Sequence, residues 1–199
     1  MIAGNSELEF TLGHDGGVLF LTLVSRDGMN RLTRRKVAAL KDEIEGLSSP
    51  GPPVLPLVIS GNPIFSAGAD LNEISQLNGP DALAFARMGQ ELMNVVAAHP
   101  APVYAAIRGF CMGGGLDLAL ACHHRVATPH AVFGHRGAAL GLITGWGGTQ
   151  RLSRLVGKGR ALEMFVAAEK ITAQHALRIG LVDAIADDPV AESVRRLSP

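Results

Sequence analysis

Three consecutive glycines, Gly113 to Gly115, stand between a strand-like apolar run at 102–107 and a short helix that is apolar on nearly every side. Glycine lets the backbone approach a ligand closely, and a helix start leaves N–H groups unpaired at the positive end of its dipole. Such a corner can stabilise an anion, or the negative oxygen that develops on a reacting carbonyl. Asp117 is the one acid within residues 109–122. The stretch therefore predicts half of an oxyanion site with a candidate acid–base group beside it.

A second stretch of small residues could supply the other half of this site. Residues 54–60 form a short apolar run typical of a strand, and a loop at 61–70 then leads into a helix predicted to begin near Ala69 and Asp70. Strand, small-residue loop and helix thus recur, with the loops at 61–70 and 108–115. This order predicts an α/β fold in which strand ends deliver backbone groups to a shared cleft.

Hydrophobic periodicity predicts the other elements that position this cleft. Alternating residues at 7–12 and 18–24 indicate an opening hairpin, and Thr33 is suited to cap a helix at 34–47. Further helices are predicted at 81–98, 149–156, 160–168, 173–179 and 190–197, and further strands at 125–128, 131–133 and 181–185. Residues 134–148 are rich in glycine and predict a long irregular stretch.

Composition limits the class of protein. The 199 residues are 47% hydrophobic and 18% charged, which predicts one soluble domain spanning 1–199 with a sizeable core. Lys and Arg together number 18, as do Asp and Glu, so no net charge favours nucleic acid or a membrane surface as a partner. Cys111 and Cys122 lie in apolar sequence with no secretory leader before them, so we expect buried, reduced thiols in a cytoplasmic protein.

Several spaced motifs resemble those of the crotonase (enoyl-CoA hydratase/isomerase) superfamily. FSAGADLNEI at 65–74 resembles the first signature, and IRGFCMGGGLDLA at 107–119, running on to Cys122, resembles the second. FGH at 133–135, LGLI at 140–143 and GGTQRL at 147–152 resemble the stretch that follows, and ITAQHALRIGLVD at 171–183 resembles the late helix–turn–strand. The similarity covers nearly the whole chain in the same order.

The resemblance implies a crotonase-like spiral of repeated strand-strand-helix units that binds an acyl-CoA thioester. By position, the backbone N–H groups of Ala69 and Gly114 would polarise the thioester carbonyl. Coenzyme A would enter as part of the substrate, with no separate cofactor bound, and the subunits would form a trimer or a dimer of trimers. The residues that the resemblance places against the substrate are Arg26, Met29, Arg31, Ala67, Gly68, Asp70, Leu71, Gly113, His135, Arg136 and Gly137.

Two positions depart from the family pattern. Hydratases of the family use two glutamates to hold and deliver water; the first falls at Asp117, one methylene shorter, and the second at Gly137. Since glycine is neither acid nor base, hydration by two carboxylates is in question. His135 and Arg136 could take the missing role, as a base or a carboxylate-binding cation, or form a surface pair. Asp117 is either the acid–base group or a first-turn acid that only stabilises its helix. Since the sequence ends at Pro199, we expect the family's usual C-terminal helical region to be largely absent.

Several other residues could have either a functional or a structural role. A local basic cluster could meet the phosphates of coenzyme A or be a solvated helix face; it comprises Arg26, Arg31, Arg34, Arg35 and Lys36. Ser66 lacks the strand–Gly-x-Ser-x-Gly–helix context of a serine nucleophile. The histidines between 123 and 135 match no metal-ligand spacing on one element, so no metal site is predicted.

Three hypotheses follow for function. The first is an acyl-CoA enzyme of the hydratase/isomerase type, in which Ala69 and Gly114 stabilise a thioester enolate and Asp117 moves protons. The second keeps the oxyanion site but changes the reaction to isomerisation, decarboxylation or thioester hydrolysis, because Gly137 replaces the second glutamate. The third is a non-catalytic acyl-CoA-binding or assembly protein.

Overall fold

The computed structural model describes residues 10–48 and 53–197 and contains two sheets. The larger has six strands in the order β1-β2-β3-β4-β6-β9. These are β1 (Phe10–Asp15), β2 (Val18–Val24), β3 (Leu57–Asn62), β4 (Val103–Ile107), β6 (His124–Ala127) and β9 (Ala184–Ile185). β1 and β2 pair antiparallel as the predicted hairpin, and every later pair in this sheet is parallel. Parallel strands are covered on both faces, which explains why all five residues of β4 are buried.

The smaller sheet receives the strands that directly follow β4 and β6, together with a third short strand. Its strands are β5 (Phe110–Met112), β7 (Val132–Gly134) and β8 (Ile171–Thr172), in that order. The chain passes from β4 to β5 and then into a helix, and later from β6 to β7, so consecutive strands belong to different sheets. This alternation is the predicted strand-strand-helix unit, and the α/β fold class is confirmed.

Eight helices of the described residues pack around these sheets. They are α1 (Arg34–Leu47), α2 (Leu71–Ile74), α3 (Gly79–Ala97), α4 (Gly114–Ala121), α5 (Gly148–Val156), α6 (Lys158–Ala167), α7 (Ala173–Arg178) and α8 (Pro189–Leu197). Thr33 caps α1 as predicted, because its hydroxyl accepts from Lys36 N at 3.1 Å. Helix α4, which follows the glycine corner, is buried at all eight positions. Such burial accounts for its nearly uniform apolar sequence.

The structure corrects several predicted boundaries. The predicted strand at 54–60 begins and ends later, at Leu57–Asn62, and the one at 181–185 shrinks to Ala184–Ile185. Strands β5 and β8 were not predicted, because two or three residues are too few to show a period. The stretch at 134–148 includes a 3-10 helix, Ala138–Leu140. Residues 7–9 of the first predicted strand lie outside the described residues.

The main core lies between the large sheet and the helices on one face, and a smaller buried cluster lies on the other face under α8. Its largest fully buried side chains include Phe65, Phe133, Leu92 and Met93. Both Cys111 and Cys122 are free and buried in it, as predicted. In the ranges 10–48 and 53–197, no helix is both long and apolar enough to cross a membrane.

Candidate active site

Parallel pairing of β3 with β4 brings the two small-residue loops to the same edge of the large sheet. The register pairs Ser60 with Ala106, so the chain leaves both strands on one side. Beyond the strands, Ser66 N donates to Phe110 O at 2.9 Å and Ser66 O accepts from Met112 N at 3.0 Å. These bonds join the loop at 61–70 directly to the strand that leads into the glycine corner.

The close approach of the two loops requires glycine at position 68. Gly68 has a φ of +97°, a conformation that residues with a side chain rarely adopt. A Cβ placed on it would lie 2.6 Å from Met112 O and 3.2 Å from Gly114 N. The small residues of both motifs therefore set the distance between the Ala69 loop and the start of α4.

Two backbone N–H groups, those of Ala69 and Gly114, lie at this junction. Leu32 N donates to Gly68 O at 2.8 Å and Leu32 O accepts from Asp70 N at 3.3 Å, so the N–H of Ala69 points away from Leu32. Gly114 is the first residue of α4, where an N–H has no partner within the helix. Among the described residues, neither N–H donates a hydrogen bond to another protein group. Two free donors beside a cavity can hold an oxyanion.

Asp117 lies one helical turn into α4 and is only 2% exposed. Its Oδ1 is 3.0 Å from His135 Nε2, and its Oδ2 accepts from Thr144 Oγ1 at 2.6 Å. The carboxylate caps no helix N–H, and both of its oxygens bond side chains outside α4. A Cβ at Gly148 would lie 2.1 Å from Oδ1. Asp117 is thus held in one orientation by partners from the loop after β7.

His135 and Arg136 have different environments, which corrects the expectation of a surface pair. The His135 side chain is 6% exposed and forms a buried pair with Asp117, and its ring also packs against Phe165 at 5.3 Å between centroids. Arg136 is exposed but still borders the cavity. Of the two, His135 is the one that could share a proton with Asp117.

A tight turn occupies the position of the second glutamate. Gly137 O accepts from both Leu140 N and Leu142 N, at 2.8 Å each. A Cβ on Gly137 would lie 2.7 Å from Leu142 O. This backbone conformation therefore leaves no space for a side chain at 137, and within residues 10–48 and 53–197 the cavity lining contains no second carboxylate to face Asp117.

A cavity of about 560 Å³ collects most of the predicted site residues. Its lining includes Ala67, Gly68, Ala69, Leu71, Gly113, Gly114, Asp117, His135, Arg136 and Gly137. The apolar remainder comes mainly from α2, α3 and the 138–146 loop, with Ile74, Leu77, Ala82, Phe85, Leu140 and Ile143 among them. An apolar cavity with a few polar groups at one end suits a ligand with an apolar chain and one reactive polar group.

The remaining predicted substrate residues lie outside the cavity wall. Arg31 pairs with Asp27, and Arg26 is exposed. Hydrogen bonds from Met29 N, Arg31 and Ser25 lower the pKa of the Asp27 carboxyl to about 2. Contact of Arg26 and Arg31 with phosphates stays a prediction.

Other members of this predicted set have structural contacts. Asp70 caps α2 by accepting from Asn72 N at 2.8 Å. Met29 O accepts from Ala67 N at 2.9 Å, which ties the loop at 26–31 to the site. Lys36 is buried, with its Nζ 3.2 Å from Val24 O, so the solvated cluster that the sequence suggested does not include it.

Sequence reasoning missed Thr144 and Trp146, both in the stretch predicted as irregular. Thr144 holds Asp117, and Trp146 lines the cavity while donating from Nε1 to Phe85 O at 3.2 Å. Trp146 is the only tryptophan of the chain, and this was the one feature of the sequence that could have drawn attention to it. Ser66 has a structural role, because its hydroxyl donates to Asn30 O and accepts from Gly68 N.

Comparison with known proteins agrees with this architecture. A family model described as Enoyl-CoA hydratase/isomerase matches residues 13–197. The chain belongs to the enoyl-CoA hydratase/isomerase family. A crotonyl-CoA hydratase from Syntrophomonas wolfei subsp. wolfei is 39% identical over 158 residues, which cover 79% of this chain and 61% of that protein. The chain therefore spans less than two thirds of this relative.

Solved structures of other proteins have the same fold. Pseudomonas aeruginosa DspI superimposes with a TM-score of 0.88 and 35% identity, covering 95% of this chain and 72% of that one. An enoyl-CoA hydratase from Bacillus anthracis gives a TM-score of 0.89 and 29% identity, covering 95% and 75%. These likenesses confirm the crotonase-type fold.

Proposed function

We propose that this protein is an acyl-CoA enzyme of the enoyl-CoA hydratase/isomerase type. In this proposal, the N–H groups of Ala69 and Gly114 hold the thioester oxygen, and Asp117 transfers the proton at the α-carbon. The observation that carries it is a pair of N–H groups with no acceptor among the described residues, in the same cavity as a buried, oriented carboxylate. Family membership and the hydratase similarity support the acyl-CoA substrate class.

The two N–H groups act on the charge that develops during reaction. When a base removes the α-proton, the electron pair moves into the thioester and leaves negative charge on its oxygen. Donors already aimed at that oxygen stabilise the enolate without reorganising, and loss of one such donor typically costs about 2.7–4 kcal/mol. The backbone provides these donors, so their presence does not depend on side-chain identity.

Asp117 supplies the proton transfer with help from His135. As a carboxylate, Asp117 accepts from His135 Nε2–H and from Thr144 Oγ1–H. If one carboxylate oxygen takes the α-proton, the other still accepts a hydrogen bond from His135 or Thr144, so Asp117 stays oriented in both protonation states. The pair can therefore store a proton in a buried site and return it to another carbon.

A second candidate reaction is favoured by the turn at Gly137. Addition of water needs a group that holds the water opposite Asp117, and the backbone around Gly137 leaves no room for a side chain there. Isomerisation, decarboxylation or thioester hydrolysis would use the same oxyanion site with one carboxylate–imidazole pair. A non-catalytic acyl-CoA binder would share the cavity and show neither reaction.

We also propose a cytoplasmic homo-oligomer, a trimer or a dimer of trimers, on the family resemblance. Two free cysteines support a reducing, cytoplasmic location. An exposed apolar surface on α6 supports contact between subunits. That surface includes Leu162 and Val166, which are 63% and 69% exposed, next to Ile143 at 78%. Light scattering behind a sizing column would give the subunit number, and a monomer at all concentrations would contradict the proposal.

Hydrogen exchange at the α-carbon tests the proposed function without presuming a product. Incubation of butyryl-CoA with the protein in heavy water should incorporate deuterium, read by mass spectrometry. Asp117→Asn is the matched variant, because an amide retains the shape of the carboxylate. It should lower the exchange rate about 10²–10⁴-fold.

Hydration of crotonyl-CoA is measured by the loss of its ultraviolet enoyl absorbance. This assay separates the hydratase from a single-carboxylate reaction. Exchange with hydration supports the hydratase, whereas exchange without hydration supports a single-carboxylate reaction. Exchange no faster than in Asp117→Asn would refute the proposed role of the site. Tight acyl-CoA binding with neither activity would indicate the binding protein.

A further inference from the structure

The indole of Trp146 forms the part of the cavity wall that adjoins the proposed oxyanion site. The side chain is 4% exposed and donates from Nε1 to Phe85 O of α3 at 3.2 Å. Its ring lies 5.2 Å from the Phe85 ring at an interplanar angle of 54°. Hydrogen bond and ring packing together hold the indole rigidly against α3.

Two glycines on different helices make room for this indole. A Cβ on Gly89 would lie 2.1 Å from Trp146 Nε1, and a Cβ on Gly114 would lie 2.4 Å from Trp146 Cζ3. Neither glycine has a positive φ, so backbone conformation does not require glycine at either place. Glycine inside a 19-residue helix such as α3 is unfavourable relative to alanine. The space at Gly89 therefore serves the indole.

The indole fills the gap between α3 and α4 at the end of the cavity that holds the two N–H groups. A thioester oxygen bound by Ala69 and Gly114 would place the first acyl carbons near Trp146 Cζ3. Ile74 and Phe85 border this end of the cavity. A longer acyl chain cannot extend between α3 and α4, because the ring already occupies that space.

We propose that Trp146 is a specificity-determining residue, whose indole ends the acyl pocket and limits the protein to short acyl chains. This inference rests on the proposed acyl-CoA substrate. Removal of the ring would open a slot between Gly89 and Gly114 into which a longer chain can extend. Gly89 is the partner position, because a larger side chain there would refill the slot from α3.

Equilibrium binding tests this limit independently of turnover. Dissociation constants are measured by calorimetry for butyryl-, hexanoyl-, octanoyl- and decanoyl-CoA with the wild type, Trp146→Ala, and Trp146→Ala combined with Gly89→Leu. Each methylene that gains a buried place tightens binding about fourfold, so two methylenes give about 15-fold. The wild type should gain nothing from the longer chains. Trp146→Ala should increase the preference for decanoyl- over butyryl-CoA at least about 15-fold, and Gly89→Leu should reverse that increase.

The single tryptophan adds a direct readout of contact in the wild type. Butyryl-CoA should change the Trp146 emission, whereas free coenzyme A should change it much less. If Trp146→Ala does not fold, as shown by loss of its far-ultraviolet circular dichroism, the dependence of binding on acyl-chain length is measured with Trp146→Leu instead. Leucine retains more of the packing.

The outcomes separate the inference from the proposed function. An unchanged length preference in the folded variants would overturn the role of Trp146 and leave the proposed function standing. The predicted shift without α-proton exchange would support the pocket limit and count against the proposed reaction. Absence of acyl-CoA binding in every variant would refute both.

Discussion

Gly114→Ala is the sharpest test of the proposed oxyanion site, because it adds one methyl group and keeps the N–H. The new Cβ would lie 2.4 and 2.7 Å from Cζ3 and Cε3 of Trp146, and 3.3 Å from Ala69 N. Real Cβ contacts are not this short, so either the indole or the start of α4 must move. The indole is fixed by its hydrogen bond to Phe85 O and by its close packing against Gly89. We therefore expect α4 to move away from the Ala69 loop.

The size of the effect follows from both consequences of that shift. Overpacking of this kind typically costs about 1–3 kcal/mol of stability. A displacement of about 1 Å in a positioned group can cost about 10²-fold in rate. Gly114→Ala should therefore lose about 1–3 kcal/mol in urea unfolding and about 100-fold in α-proton exchange of butyryl-CoA. The free energy of unfolding and the exchange rate are measured on the same preparation.

Two further variants distinguish a local clash from a general effect of the substitution. Gly79→Ala, also at a helix start, adds a Cβ with no atom within 4 Å and should leave both quantities unchanged or slightly raise stability. Gly114→Ala combined with Trp146→Phe removes the ring that carries Cζ3 and should recover part of the exchange rate. An exchange rate for Gly114→Ala within threefold of the wild type would refute the proposed geometry.

Three other predictions concern neighbouring residues. Gly137→Glu should destabilise the fold by about 1–3 kcal/mol, because its Cβ would meet Leu142 O at 2.7 Å; a gain in crotonyl-CoA hydration would contradict this reasoning. Thr144→Val should cost about 1–3 kcal/mol in urea unfolding, since one buried oxygen of Asp117 loses its donor; an unchanged urea midpoint would argue against that bond. Burial raises the pKa of the Cys122 thiol from 9.0 to about 12, so the folded state binds this proton more tightly than the unfolded chain does. The stability that this difference contributes is complete below pH 9 and is lost as the pH rises towards 12. Cys122→Ala should flatten this alkaline loss in unfolding curves measured at several pH values, and identical slopes would count against it.

The backbone part of the candidate site could be predicted because its cause is local. Small residues at 66–69 and 113–115 occupy loops that follow apolar strands, and helix starts leave N–H groups unpaired wherever they occur. Parallel pairing then brings such loops to one edge of the sheet. The α/β class and the strand-strand-helix repeat follow from the same pattern. Strands of two or three residues, such as β5 and β8, carry too little period to be recognised.

The surroundings of Asp117 could not be predicted, because its partners come from distant parts of the chain. His135 is 18 residues away and Thr144 is 27, in a glycine-rich stretch without periodicity. Local sequence allowed His135 to be a base, a carboxylate-binding cation or a surface residue, and only its burial beside Asp117 and Phe165 excludes the surface position. Trp146 likewise packs over Gly89, which lies 57 residues earlier in the sequence.

By itself, the sequence determined the family and the fold class, through spaced motifs and strand–loop–helix patterns that act over a few residues. The roles of the Ala69 and Gly114 N–H groups were predicted from the family resemblance. The tertiary structure alone decided what those groups face. It turned Asp117 towards His135 and Thr144, closed the turn at Gly137 and placed Trp146 between two helices. Side-chain partners across a cavity depend on how elements pack, and that packing is a property of the whole chain.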